Sequence, residues 1–323
     1  MRKRKLGCSN IDTSVIGLGT WAMGGWMWGG TDEQASLEAI QASIDAGINL
    51  IDTAPAYGLG KAEVLVGKAI RGRREKVVLA TKCGLVWHTK QGNHFFDEAG
   101  KPVYRFLGGK SIRYELEESL RRLQTDYVDL YLTHWQDPTT PITETMTTLL
   151  DLKKEGKIRA IGVSNVNLDE LKVYLKVGIV DCIQEQYNML HRDIEASLLP
   201  TCVANGVSTL SYSSLALGLL SGKMGPERTF KGDDQRKDDP RFSLENRRRL
   251  VPFFEGLAVI AARYDLSIAQ LVIAWTVEQR GITYALCGAR NAAQAVENAK
   301  AGDVALEAGD LKLIHALMAK HLA

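Results

Sequence analysis

Short apolar runs and amphipathic stretches alternate along nearly the whole chain. Residues 15–18, 48–51, 77–80, 128–132, 160–163, 182–183, 207–210 and 284–286 are brief apolar segments bounded by turn signals, the pattern of strands buried on both faces. Between them, residues 32–46, 61–70, 111–123, 142–155, 168–176, 194–204 and 268–279 carry apolar positions at helical spacing, as at Ala35, Ala39, Ile40 and Ile44. Thr31 or Asp32 supplies a cap for the first of these helices, Gly47 ends it, and Pro141 stands where a first helical turn tolerates proline.

Eight strands alternating with helices predict a parallel sheet, and eight is the number that closes a barrel. The fold class expected is α/β, a (β/α)8 TIM barrel with an N-terminal β-hairpin and extra helices, in one domain over residues 1–323. The hairpin comes from the alternation at 3–13, broken by Gly7 and Asn10; the extra helices are 244–264 and 308–321. Two segments break the rhythm: 83–110, read as a long polar loop, and 222–243, rich in charge, Gly and Pro. Both are expected to shape the pocket and a cofactor clasp.

Composition narrows the class without choosing the chemistry. Forty basic against 38 acidic residues leave a formal charge of +2, no basis for nucleic acid or an anionic membrane as partner. No span of about 20 apolar residues exists, and the basic run 2–5 has no apolar segment behind it, so a cytoplasmic protein is expected. Cys8, Cys83, Cys182, Cys202 and Cys287 form no CxxC and no zinc spacing, which predicts free thiols, no disulfide and no metal.

Chemistry enters with the residue that follows each strand. Thr20 and Trp21, Asp52 and Tyr57, Lys82, His134, Ser164 and Asn165, Gln186, Tyr212, then Gly288 and Arg290 succeed the eight strands in turn, and a closed barrel gathers them on one rim. Each has a bland alternative: Asp52 as a turn residue, Tyr57 as packing, His134 as a satisfied core histidine. Lys82 is harder to dismiss, since a lysine ending an apolar strand must find an anion or reach water. Together they make acid/base equipment for a carbonyl or an alcohol: Asp52 holds the Lys82 ammonium, Lys82 lowers the pKa of Tyr57, and His134 bonds the reacting oxygen. Such a set has no hydride of its own, so a redox reading needs a cofactor.

Gly17, Gly19 and Ala22 spell GxGxxA after a strand, yet Trp21 and the glycines that follow leave no helix where that motif needs one. A phosphate site fits better after the seventh strand, at Ser213, Ser214, Leu215, Gly218 and Lys223, and at Gly288, Ala289 and Arg290 where the eighth helix opens.

The motifs GLGTW, NLIDTAPAYG, LATK, DLYLTHW, GKIRAIGVSN, IQEQYN, SYSSLALGLLSGK and GAR with QAVEN stand in one order over nearly the whole chain. In this the chain resembles the aldo-keto reductases, in a branch similar to potassium-channel β subunits and bacterial inositol-operon reductases. The resemblance implies Tyr57, Asp52, Lys82 and His134 as the catalytic tetrad, with Tyr57 the general acid. It implies Ser164, Asn165 and Gln186 on the nicotinamide carboxamide and Tyr212 stacked on the ring, with Thr20 and Trp21 also at the cofactor. Ser213, Ser214, Leu215, Gly218, Leu219 and Lys223 match the pyrophosphate segment, and Gln294, Glu297 and Asn298 the adenosine end. Gly288, Ala289, Arg290 and Arg236 lie toward a 2′-phosphate, which favours NADP over NAD. Trp21, Trp28, Trp87, His134 and Trp135 are the expected substrate pocket. The implied function is NADP-dependent reduction of aldehydes, ketones or sugars. A sugar or polyol dehydrogenase running oxidatively, or a cofactor-sensing regulatory subunit, are the alternatives, and the intact tetrad speaks against the last.

Overall fold

A hairpin opens the chain, β1 (Lys3–Lys5) against β2 (Asp12–Ser14), with Lys3 opposite Ser14. Between its strands Leu6 and Ile11 are buried in one cluster with Leu50, Leu130, Cys182 and Tyr284. The hairpin therefore plugs one end of the barrel that follows. The structure, a computed structural model, describes residues 1–225 and 227–322; Pro226, in the 222–243 segment, lies outside the described residues.

The barrel begins with β3 (Ile16–Gly19), β4 (Leu50–Asp52) and β5 (Val78–Cys83). An excursion of three short strands comes next, β6 (Leu85–Val86), β7 (Asn93–Glu98) and β8 (Lys101–Arg105). The barrel resumes with β9 (Val128–Thr133), β10 (Ile158–Ser164), β11 (Cys182–Gln186), β12 (Ser208–Tyr212) and β13 (Tyr284–Gly288), closed in the order β3-β4-β5-β9-β10-β11-β12-β13. Around it run α1 (Glu33–Asp45), α2 (Lys61–Ala69), α3 (Gly109–Leu123), α4 (Ile142–Lys154), α5 (Leu168–Val177), α6 (Leu198–Asn205), α7 (Leu244–Arg249), α8 (Val251–Ala262), α9 (Ile268–Glu278), α10 (Ala292–Lys300) and α11 (Ala308–His321).

Strand periodicity sorts the side chains. Leu50, Leu130, Leu132 and Leu210 fill the barrel interior, while their neighbours Ile51, Leu79, Tyr131, Ile161 and Ile183 pack outward under the helices. Each such burial is worth roughly 1.5–3 kcal/mol. Two inward positions are crowded enough to favour glycine: a Cβ at Gly17 would lie 2.8 Å from the Leu50 and Leu286 side chains, and one at Gly162 2.7 Å from Leu132, so either would make those leucines shift. The first glycine of the GxG in β3 is thus a packing solution within the barrel, and a 3-10 turn (Trp21–Gly24) follows where a dinucleotide motif would start a helix.

Three expectations change. The segment 83–110 is not an irregular loop: β6, β8 and β7 form an antiparallel sheet, with Ala99 and Gly100 both at positive φ in the tight turn between β7 and β8. The helix expected at 194–204 opens instead as a separate 3-10 turn (Asp193–Glu195), and the α-helix proper, α6, starts only at Leu198. The helix expected at 244–264 is two, α7 and α8, meeting at Leu250 with Pro252 in the first turn of α8, where its missing N–H costs nothing. Asp32 is the cap of α1, accepting from the Ala35 N–H. Among the described residues no helix is long and apolar enough to cross a membrane.

Candidate active site

The strands deliver their last inward residues to one rim. Asp52 ends β4, Lys82 is the penultimate residue of β5, and His134 follows β9. Lys82 has no exposed surface, yet its Nζ is fully engaged. It donates to Asp52 Oδ1 and Oδ2 at 2.7 and 2.9 Å, to the Thr53 carbonyl at 2.9 Å and to Tyr57 Oη at 3.1 Å. Burial alone pulls the ammonium down, but Asp52 and Tyr57 more than reverse it, so Lys82 titrates above its ordinary value and stays charged.

Tyr57 departs from the sequence expectation in one respect. Burial raises its hydroxyl further than the nearby Lys82 lowers it, and Asp52 adds to the rise, so its net shift is upward. The phenol is therefore neutral at ordinary pH, a proton donor in waiting rather than a phenolate. His134 sits edge-on to the Tyr57 ring, centroids 5.6 Å apart. Burial, then Lys82, hold its pKa well below the usual range, so it is a neutral imidazole, and its Nδ1 is buried with no hydrogen-bond partner.

Sequence reasoning missed Gln184. It is buried inside the barrel two residues before Gln186, and its Nε2 donates to Asp52 Oδ2 at 2.8 Å. Strand parity was the available signal: Cys182, Gln184 and Gln186 share the inward face of β11. Gln186 itself, half-buried and opposite Tyr212, lies one step nearer the mouth.

A set of proton-handling residues at the carboxyl ends of barrel strands is a site for carbonyl or hydroxyl chemistry, and comparison with known proteins names its lineage. The model of the aldo/keto reductase family matches residues 15–319. The chain belongs to the aldo/keto reductase family. It is 46% identical over 289 residues to the aldo-keto reductase YhdN of Bacillus subtilis, covering 88% of this chain and 84% of that one. It is 41% identical over 320 residues to the NADH-specific methylglyoxal reductase of Escherichia coli, covering 97% of each. The glycerol dehydrogenase AKR11B4 of Gluconobacter oxydans superposes with a TM-score of 0.89 at 36% identity, over 99% of this chain and 96% of that one. Members of this family are NAD(P)-dependent oxidoreductases that act on carbonyl compounds.

The rim fits a nicotinamide cofactor. Gly19 and Gly288 stand opposite each other at the ends of β3 and β13, and a Cβ at either would meet nothing nearer than 3.9 Å, which leaves that side of the mouth open. Beside the gap, Tyr212 donates through Oη to Asn165 Oδ1 at 2.8 Å. Asn165, at φ +54°, donates in turn to the His134 carbonyl at 2.8 Å and to Ser164 Oγ at 3.2 Å. Thr20 turns inward, its Oγ1 donating to the Asp52 carbonyl. After β12, Ser213, Ala216, Leu217 and Gly218 all take positive φ, a tightly wound loop of the kind kept where function requires it; Ser214 anchors it to the Leu286 carbonyl, with Leu215 and Leu219 in the same turn.

The aldo/keto reductase cations expected near phosphate are differently committed. Lys223 pairs with Glu297 at 2.6 Å, and Glu297 also accepts from Ser267. Arg236 is held by Asp234 at 2.6 Å, donates to the Leu217 carbonyl, and lies over the rings of Trp28 and Phe230. Arg290 donates to the carbonyls of Trp28 and Gly30 and, among the described residues, makes no ion pair. Gln294 accepts from the Arg290 N–H and Asn298 donates to the Gly288 carbonyl; with Ala289 buried between them, they fix the start of α10. Asp233 ties the 222–243 segment to the backbone N–H groups of Met27 and Gly29.

The aromatic wall divides in two. Trp21 stands 6.4 Å from the Tyr57 ring and meets Trp28 edge-on at 5.4 Å. Trp87 and Trp135 pack with Leu59 and Phe96 against Ala56, Leu85 and Val103, so they are supported by the excursion β6–β8. Phe96, which the sequence reading left in a loop, stacks on Trp26 at 4.7 Å.

Proposed function

We propose that this aldo/keto reductase uses NADPH to reduce small aldehydes, ketones or sugars, with Tyr57 as the general acid. The observation that carries the reading is the Lys82 ammonium, which touches both Asp52 and Tyr57 from a fully buried position. The bound nicotinamide would supply the hydride. As the carbonyl carbon is reduced, its oxygen gains negative charge; the neutral phenol of Tyr57 gives up its proton there, and the phenolate left behind faces Lys82 at 3.1 Å, where the ammonium stabilises it. Asp52, fixed by Lys82 and Gln184, keeps that ammonium charged and aimed. His134, neutral, is available to hydrogen-bond the same oxygen.

Asn165 and Tyr212 beside the open gap are the residues that would hold the carboxamide and ring, with Ser164 and Gln186 adjoining. Arg290, which among the described residues makes no ion pair and donates only to backbone carbonyls, supports a 2′-phosphate and hence NADP. The pocket proposed for substrate is lined by Trp21, Trp28, Trp87, His134 and Trp135. A second reading, oxidation of a polyol by the same residues in reverse, is favoured by the likeness to a glycerol dehydrogenase. The test is Tyr57→Phe assayed with NADPH and a panel of aldehydes and aldoses. Turnover should fall by roughly 10²–10⁴-fold while the protein stays folded, and near-normal turnover sinks the assignment.

A further inference from the structure

Several acids lie buried in the layer between barrel and helices or at its edge, and some have obvious charged partners. Glu63 pairs with Arg122, Asp129 with Arg74 and Arg159, and Asp181 with Lys153. Glu115 on α3 and Glu185 on β11 are 5% and 6% exposed and, among the described residues, neither makes an ion pair. Each instead accepts a backbone N–H at the carboxyl end of a barrel strand. Glu115 takes the N–H of Gly84 at 2.8 Å, just beyond β5, and Glu185 takes that of Val166 at 3.0 Å, just beyond β10.

Both bonds converge on one residue. His134 donates its N–H to the carbonyl of Cys83, next to Gly84, at 2.8 Å. Its carbonyl accepts from the side chain of Asn165, next to Val166, at 2.8 Å. The turns that carry these two partners are wound through positive φ, +91° at Gly84, which glycine takes without strain, and +54° at Asn165, a less common conformation for a residue with a side chain. Because Nδ1 of His134 has no partner, the direction of its ring depends on where its backbone is held.

We propose that Glu115 and Glu185 are positioning residues that brace His134 from its two sides, through Gly84–Cys83 and Val166–Asn165, and so set the imidazole against Tyr57. The proposal rests on the functional reading above for its effect on turnover, though not for the brace itself. Burial raises both carboxyls to about 8, so near neutral pH each is an acid whose carbonyl oxygen still accepts. An amide of the same shape should therefore serve.

The experiment compares Glu115→Met and Glu185→Met with Glu115→Gln and Glu185→Gln, reading kcat and KM together with hydrogen–deuterium exchange over residues 83–84, 134–136 and 165–166. Each Met variant should lose about tenfold in kcat at nearly unchanged carbonyl KM, a response typical of a reacting group displaced by a fraction of an ångström. Exchange at 134–136 should quicken, and each Gln variant should restore both. Asp181→Asn, an acid of the same layer at the hairpin end, should lower the melting temperature and leave kcat alone. Folded Met variants with wild-type kcat and exchange overturn the proposal, as do Gln variants no better than Met. If the wild type turns over no carbonyl, the functional reading falls and exchange at 134–136 alone decides the brace. If a Met variant does not fold, Asn165→Gly keeps the left-handed turn and removes the tie to the His134 carbonyl; unchanged exchange at 134–136 in that variant overturns the proposal.

Discussion

Replacing Lys82 by methionine isolates the buried ion pair at the centre of the site. The ammonium is lost from a position with no solvent contact, and Asp52, 2% exposed, keeps one donor from a side chain, Gln184 Nε2 at 2.8 Å. Breaking a buried pair from one side costs about 3–5 kcal/mol, because a charge remains without its partner. Unfolding entropies of about 2.1 cal/mol/K per residue, taken over 323 residues, give roughly 0.7 kcal/mol/K, so Lys82→Met should melt about 4–7 °C below the wild type. The double variant Asp52→Asn/Lys82→Met removes both charges and should recover most of that loss, since a neutral pair of similar volume is nearly free of the desolvation cost. Thermal unfolding of wild type, both singles and the double at neutral pH measures the coupling directly. Turnover disappears in all three variants and does not discriminate; stability does. A Lys82→Met protein that melts with the wild type, or a double variant as unstable as the sum of the singles, would falsify the account of this pair.

Three further outcomes are expected. Arg290→Ala should raise KM for NADPH far more than for NADH, by about tenfold or more if the guanidinium meets the 2′-phosphate with charge-assisted hydrogen bonds; equal effects on both remove the basis for NADP. Gly58→Ala should destabilise by roughly 2–5 kcal/mol in chemical denaturation, because left-handed geometry and overpacking add: Gly58 sits at φ +66° and a Cβ would lie 2.4 Å from the Gly24 carbonyl oxygen. Burial holds Glu115 and Glu185 near 8, with Arg122 and Glu63 acting on the first and Glu170 on the second. Unfolded, each would titrate near 4.3, so between about pH 4.5 and 8 the native chain holds more protons and stability falls as pH rises. The Gln variants lose this slope, and their melting temperatures should gain on the wild type across that same window, from about pH 4.5 to 8.

The barrel was legible because most of its strands contain a short apolar run with an abrupt polar stop, a pattern that burial on both faces rewards. Tyr284–Gly288, reached after a long charged segment and three helices, was found by the same sign as Ile16–Gly19. The gathering of Asp52, Lys82 and His134 was legible for a related reason: each falls where a strand's apolar run ends, and closure of the barrel brings them together. What escaped notice lacked that contrast. In the excursion, His94, Asp97 and Glu98 of β7 read as loop, although the two-residue Ala99–Gly100 turn between matching segments was a hairpin signal. Gln184 was hidden in mid-strand, where a polar residue is ordinarily discounted. The upward shift of Tyr57 was invisible for another reason: desolvation depends on how much protein surrounds a group, and sequence order says which charges are near but not how dry they are.

The hairpin β1–β2 decides which end of the barrel meets water. With Leu6 and Ile11 seated against Leu50, Leu130, Cys182 and Tyr284, the end opposite Tyr57 is stoppered, and the packed interior gains a floor as well as walls. A few residues that precede the barrel and never touch the reactive groups thus keep one end of the core dry and leave the rim as its open face.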